Sequence, residues 1–193
     1  MKTKFLIGVD EAGRGPLAGP VAVGVVVVPR AFDIALVKGV RDSKQMSELG
    51  REIWFEKIRI LTQQHGLRHS VQFSSARYID TYGIAPAIRR AIARALRALE
   101  VEPEESHVLL DGSLKAPSAF LYQETIIGGD DSEPLISLAS IAAKVRRDRL
   151  MRRLSIRYPE YGFEIHKGYG TKAHREALKK YGVSDIHRKT FIH

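Results

Sequence analysis

The run Val21-Ala22-Val23-Gly24-Val25-Val26-Val27-Val28 constrains this chain more than any other stretch. Its β-branched side chains favour extended backbone and carry no polar group to face water. The run stops at Pro29, far short of the roughly 20 apolar residues that a membrane helix needs, so it reads as a buried strand. A second apolar stretch, Lys4 to Asp10, precedes it across the turn Ala12-Gly13-Arg14-Gly15-Pro16. The two predict a strand pair around a tight loop.

Downstream, Ser47 can cap a helix reaching about Leu61, with Leu49, Ile53, Ile58 and Leu61 near helical spacing. His69 to Phe73 reads as a strand. A helix from about Ile84 sets Ile88, Ile92, Leu96 and Leu99 against Arg89, Arg90, Arg94 and Arg97, an amphipathic pattern suited to lying on a sheet. Ser106 to Asp111 is a short strand ending on an acid, and about Phe120 to Ile127 is extended. After Gly128-Gly129-Asp130-Asp131 a long helix runs from about Pro134 to Leu154. Thr171 and Gly182 bound a last helix in the C-terminal segment. The expected class is α/β, a central mixed β-sheet flanked by helices. With 193 residues, 44% of them apolar, and no linker or repeat, one domain over residues 1–193 is expected.

Lys and Arg number 31 against 22 Asp and Glu, a net charge of +9. That balance favours a polyanionic partner such as nucleic acid, although a surplus of cations also serves solubility. There is no cysteine, which excludes disulfides and thiolate zinc sites; any metal must be bound through oxygen or imidazole. The basic start Met1-Lys2-Thr3-Lys4 meets Asp10 too soon to form a signal peptide, so a cytoplasmic location is expected. Nothing in the sequence demands an oligomer or a membrane, and a monomer is expected.

Asp10 and Glu11 sit where an apolar strand meets the glycine-rich turn. Asp111 ends a second strand and Asp130 lies just before a helix. If those strands are neighbours, the carboxylates converge, and an all-oxygen cluster suits Mg²⁺ or Mn²⁺ and two-metal phosphodiester hydrolysis. Singly, each acid reads as well as a turn former or a helix cap. Gly13-Arg14-Gly15 is not a dinucleotide loop, because Ala18 stands where its third glycine belongs, and no GxxxxGK[ST] sequence occurs. None of the 7 histidines sits in a triad pattern.

Asp10-Glu11-Ala12-Gly13-Arg14-Gly15-Pro16 resembles the opening motif of type 2 ribonucleases H. The resemblance continues in family order through Asp42-Ser43-Lys44, Leu110-Asp111-Gly112, Gly129-Asp130, Ala139-Ser140-Ile141-Ala142-Ala143-Lys144, Arg147-Asp148-Arg149 and His166-Lys167-Gly168-Tyr169-Gly170-Thr171. It implies a ribonuclease H-like fold with Asp10, Glu11, Asp111 and Asp130 as active-site acids binding Mn²⁺ or Mg²⁺. The substrate it implies is an RNA/DNA hybrid or duplex DNA holding single ribonucleotides. The hybrid is cut in its RNA strand, the lone ribonucleotide on its 5′ side, leaving 3′-hydroxyl and 5′-phosphate ends.

By the same resemblance, Gly13, Arg14, Gly15 and Tyr169 read the 2′-hydroxyl, the group that separates RNA from DNA. Lys44, Lys144, Lys167 and Arg188 are expected phosphate contacts, though each also reads as an ordinary surface cation. His166 is expected to order the Lys167 loop. Asp131 doubles the acid after Gly129, and spacing to the Ala-Ser-Ile block favours Asp130 as the ligand. The chain ends soon after His187-Arg188, so a weaker grip on substrate is expected than with a longer C-terminal element. Two rivals remain: a non-catalytic nucleic-acid-binding protein, which predicts metal-independent binding, and a nuclease of the same superfamily acting on DNA alone.

Overall fold

The computed structural model describes residues 3–41 and 43–192; Met1 and Lys2 of the basic start, Asp42 of the Asp-Ser-Lys motif and His193 lie outside the described residues. The strands are β1 (Phe5–Ala12), β2 (Val21–Pro29), β3 (Arg68–Ser74), β4 (Ser106–Asp111) and β5 (Gln123–Ile126), in one sheet of order β3-β2-β1-β4-β5. β1, β2 and β3 pair antiparallel, whereas β4 and β5 run parallel to β1. The mixed sheet is the expected one. The extended stretch predicted over 120–127 narrows to β5.

The helices are α1 (Glu48–Gln64), α2 (Ala76–Tyr82), α3 (Ile84–Ala98), α4 (Gly129–Ser132), α5 (Pro134–Arg157), α6 (Phe163–His166) and α7 (Lys172–Tyr181). The period-2 alternation of β2 divides the core. Val21, Val23, Val25 and Val27 pack with Ile88, Ile92 and Leu96 of α3 on one face. Val26 and Val28 pack with Ile58 of α1 and Leu138 and Ile141 of α5 on the other. No helix among the described residues is long and apolar enough to cross a membrane.

Two sequence expectations about helices change. Leu49 and Ile53 do not face the core; they are 71% and 62% exposed, and the buried side of α1 is Phe55, Ile58 and Leu61. The first turns of α1 lie beside the arginine-rich half of α5, joined by Glu48–Arg152 and Glu52–Arg149 ion pairs. That contact turns residues 49 and 53 outward. A separate helix, α2, also precedes α3: the Ser75 hydroxyl accepts from the Tyr78 N–H at 3.2 Å, and Gly83 at φ +86° breaks the two helices apart.

Helix α5 crosses β1 and β2 at backbone contact. A Cβ on Gly8 would stand 2.3 Å from the Leu135 carbonyl, and one on Gly24 would stand 2.1 Å from the Ala139 oxygen. Only glycine on the sheet admits the helix at this distance. The close approach brings Ser140 and Lys144 over the end of β1.

Candidate active site

Asp10 and Asp111 come from neighbouring parallel strands. Val9 pairs with Leu110, so the next residue on each strand, Asp10 and Asp111, stands beside the other where β4 ends. Asp130 arrives from α4, which begins after Gly128 in the left-handed region. Gly129 leaves room for it: a Cβ there would meet Ile136 at 2.6 Å and Asp111 Oδ1 at 3.5 Å. The Asp130 N–H then donates to Asp111 Oδ1 at 3.4 Å. One carboxylate oxygen from each of Asp10, Asp111 and Asp130 lies within 4.8 Å of the others.

This arrangement concentrates unfavourable negative charge. Burial, then the charge of Glu11, pushes the Asp10 carboxyl well above the usual carboxylate range; Asp111 adds to the rise, while Ser140 and the Glu11 N–H oppose it. That N–H donates to Asp10 Oδ1 at 2.7 Å. Burial also raises the Glu11 carboxyl, against the Arg14 guanidinium, whose Nη1 stands 3.2 Å from Glu11 Oε1. A divalent cation would lower the energy of the cluster, and hard carboxylate oxygens with no sulfur suit Mg²⁺ or Mn²⁺. The residues therefore fit the expected ion. Glu11 faces the same cavity but stands outside the three-aspartate group.

The cavity, about 220 Å³, is lined by Asp10, Glu11 and Asp111 together with Gly13-Arg14-Gly15, Lys44, Lys144 and Tyr169. Tyr169 is 44% exposed, so it is not a core aromatic. The Lys44 ammonium donates to Asp130 Oδ2 at 2.8 Å, and Lys144 donates to Asp148 at 2.8 Å. Asp131 accepts from Gln45 at 3.1 Å and stands outside the three-aspartate group.

Two expected phosphate contacts are placed differently. Arg188 is fully buried and its guanidinium donates to the carbonyls of Gly13, Arg14 and Gly19, so it is placed neither as the expected phosphate contact nor as a surface cation. Lys167 lies outside the cavity lining and turns its ammonium onto the Glu164 carbonyl. His166 orders that loop as expected, accepting from the Gly168 N–H at 3.2 Å and donating to the Tyr161 carbonyl at 2.7 Å.

Sequence reasoning missed several supports. The Ser43 and Ser140 hydroxyls, 2.8 Å apart, sit beside Asp10. Arg147, only 1% exposed, donates to the carbonyls of Pro20 at 2.9 Å and Ala18 at 3.3 Å. Its burial had a signal, because Ala143, Arg147 and Met151 recur every four residues along the buried stripe of α5. The buried His174–His187 pair had none.

Carboxylates gathered at the ends of neighbouring parallel strands, under a helix laid across a mixed sheet, define a metal-dependent hydrolase of ribonuclease H-like fold. The family model for ribonuclease HII matches residues 7–193. Ribonuclease HII of Endomicrobium trichonymphae is 46% identical over 184 residues, 95% of this chain and 83% of that protein. Ribonuclease HII of Bacillus cytotoxicus is 44% identical over 187 residues, 97% of this chain and 68% of that protein. Among solved structures, ribonuclease HII of Archaeoglobus fulgidus, determined in complex with PCNA, superposes with a TM-score of 0.79 at 26% identity, covering 98% of this chain and 96% of that one. The chain belongs to the ribonuclease HII family.

Proposed function

We propose that this protein hydrolyses the RNA strand of RNA/DNA hybrids and incises duplex DNA on the 5′ side of single embedded ribonucleotides, leaving 3′-hydroxyl and 5′-phosphate ends. Hybrid cleavage is the reaction of its family, and this chain is an endoribonuclease. The convergence of Asp10, Asp111 and Asp130 carries the mechanistic part of the proposal. These aspartates, with Glu11 beside them, are assigned as the catalytic and metal-holding groups, with Mn²⁺ or Mg²⁺ as the ion. Bound in pairs at such a cluster, these ions would lower the pKa of an attacking water and would offset charge on the leaving 3′ oxygen.

The chain's own groups supply the rest. Gly13, Arg14, Gly15 and Tyr169 read the 2′-hydroxyl: glycine lets the backbone approach a sugar closely, and the exposed tyrosine ring offers a face for it. Lys44 and Lys144, at the cavity wall, are assigned to flanking phosphates. Every group in the assignment belongs to one chain and lies on one sheet, its flanking helices or the loops joining them, which supports a single-domain monomer acting on a nucleic-acid duplex.

The test is an end-labelled DNA duplex with one ribonucleotide, incubated with Mn²⁺, Mg²⁺ or chelator, beside an all-DNA duplex and the Asp10→Asn variant. Metal-dependent incision confined to the 5′ side of the ribonucleotide, and lost in Asp10→Asn, is expected. Metal-independent binding with no incision would instead identify a nucleic-acid-binding protein, and incision of the all-DNA duplex would identify a DNA nuclease.

A further inference from the structure

The Leu17–Gly19 segment, the Gly168–Tyr169 turn and residues 184–190 near the C-terminus are tied together behind the cavity. Leu17 donates its N–H to the Gly168 carbonyl at 2.9 Å, Gly19 donates to Ile186 at 2.8 Å, and Arg188 donates to Leu17 at 2.7 Å. Ala18 and His187 form a β-bridge. Past Arg188 the chain is held to α2, where Asp80 accepts from the Lys189 and Thr190 N–H groups, each at 3.0 Å.

From this knot two side chains reach the groups assigned to the ribose. The Arg188 guanidinium donates to Gly13 at 2.7 Å, Arg14 at 2.8 Å and Gly19 at 2.9 Å. A trans peptide points its N–H opposite to its carbonyl, so drawing the Gly13 and Arg14 carbonyls inward turns the Arg14 and Gly15 N–H groups outward. Among the described residues neither N–H donates to a backbone carbonyl.

On the other side, His187 Nδ1 accepts from the Ser184 N–H at 2.9 Å, which leaves the proton on Nε2. That N–H donates to His174 Nε2 at 3.0 Å, and His174 Nδ1 donates to the Tyr169 carbonyl at 2.9 Å. Neither Arg188 nor its buried neighbour Arg147 forms an ion pair with a carboxylate within 4.0 Å among the described residues; Asp80 and Asp148 act on them only at longer range. Burying two guanidiniums on carbonyls and an aromatic ring apiece, Tyr169 at 6.0 Å from Arg147 and Phe191 at 5.2 Å from Arg188, is a poor way to stabilise a core, where apolar side chains serve as well or better. It is an effective way to fix the direction of a loop's peptides.

We infer that His187 and Arg188 are positioning residues for substrate discrimination, with Arg188 orienting the Gly13-Arg14-Gly15 amides and His187, through His174, fixing Tyr169. This inference rests on the assignment of Gly13, Arg14, Gly15 and Tyr169 as the groups that read the 2′-hydroxyl. A lone ribonucleotide offers one 2′-hydroxyl in one register, whereas a continuous hybrid offers one at every step. A loosened reading site therefore loses more on the lone ribonucleotide.

The experiment compares kcat and KM of the full chain with Mn²⁺ on a single-ribonucleotide duplex and on a continuous RNA/DNA hybrid. The variants are His187→Leu, His187→Gln, Arg188→Lys and Tyr169→Ala. His187→Leu and Arg188→Lys are expected to lower kcat on the single ribonucleotide at least about tenfold relative to the hybrid. KM should hold, because duplex affinity comes mainly from phosphates. His187→Gln, whose amide can still donate to His174, is expected to keep the wild-type ratio. Lost folding lowers both rates together and leaves the ratio unchanged, so an unchanged ratio in His187→Leu and Arg188→Lys would overturn the inference. If Tyr169→Ala shifts the ratio while those two do not, the brace alone falls. If Tyr169→Ala also leaves it unchanged, the ribose-reading assignment falls with it.

Discussion

Asp10 is held in a state that costs the protein stability. Its folded pKa lies above that of an exposed aspartate, so the folded state retains a proton that the unfolded chain has released. This stabilisation is present at low pH and is lost as pH rises through the raised folded pKa. Near neutral pH the ionised carboxylate is a net cost unless a cation answers it. Asp10→Asn is therefore expected to raise the melting temperature of the chelated protein by a few degrees, on the scale of about 2–4 °C per kcal/mol for a chain of this size, and to remove Mn²⁺-dependent cleavage. Calorimetry with and without Mn²⁺ measures both the rise and the loss of metal-induced stabilisation. At Gly13 the expectation is opposite. Its φ is +87° and an added Cβ would lie 1.9 Å from Arg147 Nε, so Gly13→Ala should cost about 1–3 kcal/mol in urea melts and impair incision at a lone ribonucleotide. The aspartates were legible because each ends an apolar strand or opens a helix. Arg188 was not, because its burial is decided by carbonyls some 170 positions earlier in the chain.

At the scale of elements, α5 governs the site, since it lies on β1 and β2 only through Gly8 and Gly24. Gly24→Ala should push the Ala139 carbonyl away, displace Ser140 and Lys144 from the cavity, and destabilise by about 1–3 kcal/mol or more. The C-terminal layer has its own pH dependence. Burial, then the neighbouring His174, lowers His187 to about 4, and burial lowers His174 as well. A histidine with a depressed folded pKa contributes stability that is present above its unfolded value and is lost as pH falls toward the folded one. The melting temperature should therefore drop between about pH 6.5 and 4, and His187→Gln should flatten the drop. Asp10 acts with the opposite sign, so the variant must be compared with wild type at each pH. Capping residues made the elements readable: Ser47, Thr171 and Gly182 stand where the sequence put them. The misread face of α1 came from ion pairs with α5, a tertiary contact that periodicity does not encode, and α2 is too short to leave a periodic trace.

For the whole molecule, a net charge of +9 surrounds a cluster of acids, so duplex affinity must come from cations outside that cluster. Lys44 and Lys144 stand at the cavity wall; Arg147 also lines the cavity but is buried on backbone carbonyls, and Arg188 is buried outside the lining. Replacing Lys144 with Ala should weaken duplex binding for all sequences alike and reduce the slope of log affinity against log salt by about 1; Arg188→Lys should leave that slope unchanged. Metal-dependent cleavage depends above all on Asp10, Asp111 and Asp130, from three separate elements, holding a shared ionic site. Calorimetric titration of Mn²⁺ into the wild-type chain and into Asp10→Asn, Asp111→Asn and Asp130→Asn tests that directly. Each substitution is predicted to weaken Mn²⁺ binding by about tenfold or more while the chain stays folded. Wild-type affinity in any one of the three variants would contradict the shared site.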